Sequence, residues 1–108
     1  MALKRDSANL LMVIGVVDYY DLDADGAPAL VTGATVTAQI YSPDRATPIG
    51  DEVILTAEAD QAQNNYRGIS PATVDLSAYD EVLIKYVVNA GGDWSRSTSW
   101  VEERVVDE

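Results

Sequence analysis

Short runs in which apolar and polar residues alternate dominate the chain. Within residues 35–41, Val36, Ala38 and Ile40 are apolar and the residues between them are mostly polar. Because successive side chains of a β-strand point to opposite faces, this period of two predicts a strand with one buried face. The same period recurs at 53–57 and 82–88. A long strand that is polar on both faces, with a few apolar anchors, is predicted at 94–106, and two shorter and weaker strands are predicted at 66–69 and 73–76.

Turn-forming residues separate these runs at intervals of roughly 8–12 residues, the spacing typical of a β-sandwich. Such residues occur at 25–28, 42–45, 48–51, 64–65, 70–71 and 91–93. A helical period is never kept for three turns, and the one helical candidate is a single turn near 77–80. The sequence therefore predicts one all-β domain over residues 1–108, built as an antiparallel two-sheet sandwich, with residues 1–8 as an amino-terminal arm.

One predicted strand, residues 10–17, is apolar on both faces. A strand of a two-layer sandwich meets the core with one face only, so the second apolar face needs an explanation. Either the strand crosses between the sheets, with Gly15 as a bulge, or another subunit covers one face. Alternate residues of this strand form two rows, and the row at positions 11, 13, 15 and 17 has less side-chain volume because it contains Gly15. We therefore expect Leu11, Val13 and Val17 to lie nearer the bulge or the interface.

The composition removes several classes of enzyme. The 108 residues include no histidine and no cysteine. The chain therefore lacks the residues for a Ser-His-Asp triad, for a cysteine nucleophile and for an ordinary zinc, copper or haem site. With 47% hydrophobic residues the chain is globular, and without disulfides it is held by packing alone. We expect a protein without enzymatic activity and without a cofactor.

The charge balance argues against nucleic acid and anionic membranes as partners. The chain has 18 acidic and 7 basic residues, a net charge of −11, and the basic residues are scattered rather than clustered. Lys4 and Arg5 before an apolar run faintly imitate a signal peptide, but acidic and tyrosine residues at 18–21 follow where small residues belong. Eight apolar residues are also too few for a bilayer, which needs about 20. We expect neither a signal peptide nor a membrane segment.

Two constellations could nevertheless carry chemistry. Asp21, Asp23 and Asp25 match the first half of a calcium loop, although Thr32 stands where the loop needs a glutamate and Pro28 interrupts it. This segment is interpreted as a β-turn, with a weak divalent-cation site as the alternative.

Two tryptophans form the second constellation. Trp94 and Trp100 are six residues apart, so they share a face of a regular strand. They are interpreted as core or interface residues, with a stacking platform for sugars or bases as the alternative.

Several motifs resemble one family. The run Asp25-Gly26-Ala27-Pro28, the run from Leu30 to Val36, the run from Tyr66 to Ala72 and Gly91-Gly92-Asp93-Trp94 are similar to small immunoglobulin-like domains of phage virion proteins. The resemblance implies an immunoglobulin-like β-sandwich that serves as a structural subunit of a phage or phage-like particle. Such a subunit would be an accessory protein of the head, neck, tail or baseplate, made in the host cytoplasm and located in the virion.

The resemblance also implies partners. They would be other virion proteins and further copies of the same chain, and the candidate interface residues are Leu11, Val13, Val17, Trp94 and Trp100. Two other classes stay open. One is a carbohydrate-binding or cell-surface adhesion module that uses Trp94 and Trp100. The other is a calcium-stabilised extracellular domain that uses Asp21, Asp23 and Asp25.

Overall fold

The computed structural model describes residues 2–13, 17–22, 28–30, 35–57, 65–89 and 97–107. Within these ranges all regular structure is β, which confirms the predicted all-β class. The strands are β1 (Ala2–Lys4), β2 (Asn9–Val13), β3 (Val17–Leu22), β4 (Pro28–Leu30), β5 (Thr35–Tyr41), β6 (Pro48–Ala57), β7 (Tyr66–Ser70), β8 (Glu81–Asn89) and β9 (Ser97–Val106).

Seven of the strands form one mixed sheet in the order β1-β9-β8-β5-β6-β7-β2, and β3 pairs with β4 in a separate hairpin. The pair β1–β9 is parallel and the other pairs are antiparallel, so the expectation of a purely antiparallel arrangement is wrong. The first and last strands of this order are joined by residues 5–8 alone. The sheet is therefore rolled up until it is nearly a barrel.

Two side chains of the amino-terminal segment, Arg5 and Asn9, form contacts that hold β1 in the sheet. The amide of Asn9 accepts a hydrogen bond from the Lys4 backbone N–H (2.8 Å) and donates one to the Lys4 carbonyl (3.0 Å). The Arg5 guanidinium donates to the Tyr79 carbonyl and forms ion pairs with Asp80 (3.2 Å) and Asp107 (3.1 Å). Together these contacts tie β1 to β2, to the turn before β8 and to the residue after β9.

The amino-terminal arm expected over residues 1–8 is therefore wrong for residues 2–4, because they form β1. Leu3 is completely buried and lies opposite Val105 of β9. A three-residue strand is too short to show a period of two. Its partner lies about a hundred residues away, so local pattern could not reveal it.

The interior is a single aliphatic cluster with two tyrosines. It contains Leu3, Leu11, Val36, Ala38, Ile40, Ile49, Leu55, Tyr66, Leu76, Val82, Ile84, Tyr86, Val88 and Val105. The alternating residues of β5 and β8 are all buried, as their period of two predicted. At Gly68 of β7 a Cβ atom would lie 2.8 Å from Leu55 Cδ2 and 3.0 Å from the Ile54 carbonyl oxygen, so a larger residue there would require β6 to shift.

The faces of β2 are reversed relative to the prediction. Leu11 is completely buried opposite Gly68, whereas Leu10 is 38% exposed opposite Ile69. The expected interface role of Leu11 is therefore wrong, and Val13 of the same row packs partly buried against the core. The face of β2 that is buried is the one that carries Leu11, which lies in the same core cluster as Leu55 and Tyr66. Gly15, on which the expectation depended, lies outside the described residues.

Residues 73–76 are a turn and not the short strand predicted from sequence. The Val74 N–H donates to the Pro71 carbonyl (3.1 Å), and the Tyr79 N–H donates to the Leu76 carbonyl (3.1 Å). The predicted helical turn near 77–80 is thus a tight turn. Leu76 is buried and anchors this connection to the core, which explains the apolar residue that suggested a strand.

Strand β6 carries an irregularity that lets it take part in both halves of the sheet. Its pairing with β5 shifts register between Ala38 and Ile40, next to Gly50, whose φ of 73° lies in the left-handed region. The Gln39 side-chain amide donates to the carbonyl of Gly50 (3.1 Å), so a carbonyl displaced by the bulge keeps a partner. Further along β6, Thr56 and Ala57 pair with β7.

Candidate interaction surfaces

The outer surface of β2, β7 and β6 carries three exposed branched aliphatic side chains, which we call the Leu10 patch. It consists of Leu10 (38% exposed), Ile54 (70%) and Ile69 (56%). Leu10 and Ile69 face each other across β2 and β7. Since Thr56 pairs with Arg67, continuing the same register by two residues puts Ile54 opposite Ile69. The three side chains therefore form one row across three strands.

A groove of about 570 Å³ lies along this row and is lined by Leu10, Thr56, Arg67, Gly68 and Ile69. Arg67 is the one charged residue of this lining. Single exposed aliphatic residues are ordinary on protein surfaces, whereas adjacent ones typically mark a site of contact with another molecule. In the Leu10 patch, Leu10 and Ile69 are exposed and adjacent in this way.

A second feature lies on the outer surface of β5, β8 and β9, and we call it the Trp100 cluster. Trp100 is half-buried, and the Tyr41 ring meets it edge to face at a centroid distance of 5.2 Å. The Arg45 guanidinium carbon lies 4.7 Å over the indole, and Lys85 Nζ lies 5.6 Å from its centroid. Both distances are within the range of cation–π attraction. The indole is thus already covered by protein cations, which leaves it poorly suited to stacking on a sugar.

Local structure holds Arg45 in this position. Arg45 closes the turn between β5 and β6 with a φ of 63°, and its N–H donates to the Ser42 carbonyl (2.9 Å). Asp44 accepts hydrogen bonds from the Ser42 hydroxyl and from the Ala46 N–H, and these bonds lower the pKa of the Asp44 carboxyl. Lys85 reaches the same indole because it lies directly opposite Trp100 on β8.

Two glutamates lie next to this cluster on the same surface. Glu81 of β8 and Glu102 of β9 are close enough that the pKa of Glu81 is raised, first by its hydrogen bond with Glu102 and then by the like charge. Arg104, which lies opposite Glu81, acts in the other direction with a smaller effect. The ionised pair is therefore a point of repulsion on the surface of the folded chain.

A tyrosine connects the two halves of the sheet through the interior. Burial raises the pKa of the Tyr86 hydroxyl, and the nearby Glu103 carboxylate raises it further. The hydroxyl also hydrogen-bonds to the backbone of Met12. Since Tyr86 belongs to β8 and Met12 to β2, this contact joins strands that lie four positions apart in the sheet order.

The other residues singled out from the sequence are placed as follows. Asp21 lies in β3, while Asp23, Asp25 and Trp94 fall outside the described residues. Val17 begins β3. In the part of the chain that the structure describes, no group of three or more Asp, Glu, His or Cys side chains could hold a metal ion. A search of the same residues finds no helix long and apolar enough to cross a membrane.

Sequence reasoning identified Trp100 and missed the residues around it. Lys85 was visible as a polar position on the outward face of its strand, but its pairing with Trp100 depends on the register between β8 and β9. The Leu10 patch was likewise hidden, since Ile54 and Ile69 belong to strands that become neighbours only in the fold. Comparison with family models, with curated proteins and with solved structures finds no match to the chain.

Proposed function

We propose that this chain is a non-enzymatic structural subunit of a phage or phage-like particle, an accessory protein of the head, neck or tail that acts through protein–protein contacts. The observation that carries this proposal is the Leu10 patch. Three branched aliphatic side chains stand side by side on an outer surface, where they gain stability only if another molecule covers them.

The proposal includes a finer description of the fold as an immunoglobulin-like sandwich. One layer would contain β2, β7 and the end of β6, and the other β1, β9, β8, β5 and the start of β6. The Tyr86–Met12 contact supports this division, because it runs from one layer to the other through the core. The bulge at Gly50 supports it too, because β6 then passes from one layer to the other.

The setting of a particle suits a patch of this size. Three side chains alone bury too little area for a tight complex between two free molecules. In a symmetric particle each copy makes the same modest contact, and the contacts of many copies add up through their shared lattice. We propose the virion as the location because the motifs in residues 25–36 and 66–72 resemble those of phage virion domains. The partners would be other virion proteins.

The experiment has a genetic and a structural arm. We expect the neighbouring genes to encode portal, capsid or tail-tube proteins. We also expect the chain in purified particles at a fixed copy number, measured by quantitative mass spectrometry. The variant Ile69→Asp places a charge in the patch and should be lost from the particles. The matched variant Ala72→Asp adds the same charge in an exposed turn and should be retained.

Both variants should fold, because Ile69 and Ala72 point outward. Thermal unfolding of the purified chains checks this. Absence of the chain from particles would contradict the particle role. Normal incorporation of folded Ile69→Asp would contradict the role of the Leu10 patch.

A further inference from the structure

Strand β1 is a short segment at one end of the sheet that fills a place in the core. Among the described strands it pairs with β9 alone, through residues 2–4. Leu3 is completely buried, and Arg5 forms ion pairs with Asp80 and Asp107. Because β1 stands at the end of the strand order, it can leave its place without separating any other pair of strands.

A short turn with an unfavourable backbone angle joins β1 to β2. The turn consists of residues 5–8, and Asp6 within it has a φ of 55°. Positive φ is unfavourable for a residue with a side chain, although aspartate tolerates it better than most. An extended connection in place of this turn would return Asp6 to an ordinary negative φ. Short connections under strain favour the exchange of an end segment between identical chains.

The place that β1 fills fits a second copy of the same segment. If β1 of one copy entered the place of β1 in another, Leu3 would be buried there as before. Arg5 would form its ion pairs with Asp80 and Asp107 of the other copy. The contacts of β1 with β9 and with the core are thus regained between chains, and the turn is what changes. An empty place would expose the core, so β1 leaves only where another β1 replaces it.

We propose that this chain exchanges β1 with a second copy, so that β1 of each copy pairs with β9 of the other. Five residue steps lead from Lys4 to Asn9, and an extended chain of that length spans about 17 Å, so the two copies lie next to each other at the connection. The net charge of −11 on each copy opposes this association. At physiological ionic strength the screening length is about 8 Å, so most of the distant charges are damped.

Introduced cysteines can report the exchange, because the chain has none of its own. Ala2 and Arg104 are exposed and lie directly opposite each other on β1 and β9. Neighbouring strands are about 4.8 Å apart, a distance that a disulfide can span. In the double variant Ala2→Cys/Arg104→Cys, a closed copy forms its disulfide within one chain, whereas an exchanged pair forms two disulfides between chains. A denaturing gel without reductant separates these products.

The experiment varies the concentration of this double variant. The chain is refolded and held reduced at about 1 μM to about 1 mM, a range that covers micromolar to millimolar dissociation constants, and is then oxidised. We expect covalent dimer that increases with concentration. A dimer held by any other surface would keep its disulfides within each chain and would run as a monomer. Arg104→Cys alone is the control for random disulfide formation and should give little covalent dimer.

Asp6 offers a matched pair of variants within the double-cysteine chain. Asp6→Gly removes the strain of the closed turn and should decrease the exchange, whereas Asp6→Val makes positive φ more costly and should increase it. Because each dimer contains two connections, we expect the dissociation constants of these variants to differ at least about tenfold. Both variants remove the same exposed carboxylate, so overall charge cannot cause the difference. Circular dichroism verifies that every variant is folded.

Three results would overturn the proposal. They are disulfides within single chains at every concentration, as much covalent dimer from Arg104→Cys alone, and equal dissociation constants for Asp6→Gly and Asp6→Val. The exchange goes beyond the proposed particle role and does not depend on it. None of these results would touch that role, which rests on the Leu10 patch and is tested by Ile69→Asp.

Discussion

Two regions of the outer surface of the sheet, the Leu10 patch and the Trp100 cluster, both carry apolar side chains, and they differ in what covers those side chains. At the Leu10 patch, cross-strand neighbours are aliphatic and stand open to solvent. At the Trp100 cluster, the apolar group is an indole that two cations and a tyrosine ring cover from within the chain. The inner surfaces of both regions belong to one hydrophobic core, and each contributes a buried tyrosine, Tyr66 on β7 and Tyr86 on β8. Cross-strand pairing on the outer surface therefore leaves the apolar side chains of one region open to solvent and covers the apolar ring of the other.

The largest effect on stability is expected for substitutions at two adjacent residues that lie on opposite faces of β2. Leu11→Asp buries an unpaired carboxylate, which costs several kcal/mol and approaches the whole stability of a small domain, about 5–15 kcal/mol. We expect this variant to be unfolded by circular dichroism. Leu10→Asp puts the same charge on the outer surface and should unfold in urea within about 1 kcal/mol of the natural chain. Equal destabilisation by both would mean that the faces of β2 are assigned wrongly.

This pair of residues also shows how far sequence reasoning reaches. The period of two identified β5, β8 and the inward residues of both, because a long strand with one buried face carries its own signal. In β2 every residue after Asn9 is apolar, so the local pattern could not say which face is buried. The buried face depends on the pairing of β2 with β7, a strand that is remote in sequence. The closure by β1 was invisible for the same reason.

A smaller effect is expected when the Arg45 guanidinium that covers the Trp100 indole is removed. Arg45→Ala removes the guanidinium. The backbone strain at positive φ is similar for alanine and arginine, so the variant reports on the loss of the side chain. An exposed cation–π contact contributes about 0.5–1 kcal/mol, and we expect that loss in urea unfolding. Trp100 fluorescence should shift to longer wavelength, measured in a Trp94→Phe background. Arg45→Lys, which keeps the charge, should lose less. An unchanged emission spectrum would show that Arg45 does not cover the ring in solution.

The smallest effect is expected from the repulsion between Glu81 and Glu102, next to the Trp100 cluster. Because the pKa of Glu81 is raised above its ordinary value of 4.5, the ionised form is the less favourable one in the folded chain. This penalty exists above the raised pKa and disappears as the pH falls through it. Glu81→Gln should therefore melt at a higher temperature than the natural chain at pH 7, and the difference should vanish near pH 4.

These melting experiments belong at the lowest usable protein concentration, so that self-association does not contribute. The control is Glu52→Gln, an exposed glutamate of β6. At pH 7 this variant should melt close to the natural chain. A Glu81→Gln variant that melts below the natural chain at pH 7 would mean that Glu81 makes a net favourable contact instead.

The pairing of β1 with β9 has a consequence for the order of events during synthesis. Arg5 and Asp107, which meet in the folded chain, are 102 residues apart. At a translation rate of about 5–20 residues per second, the ribosome makes β9 roughly 5–20 s after β1. Throughout that interval Leu3 lacks the neighbour that buries it. Strand β1 thus emerges well before the strand that buries it, and nascent chains are open to one another at this seam until β9 has been made.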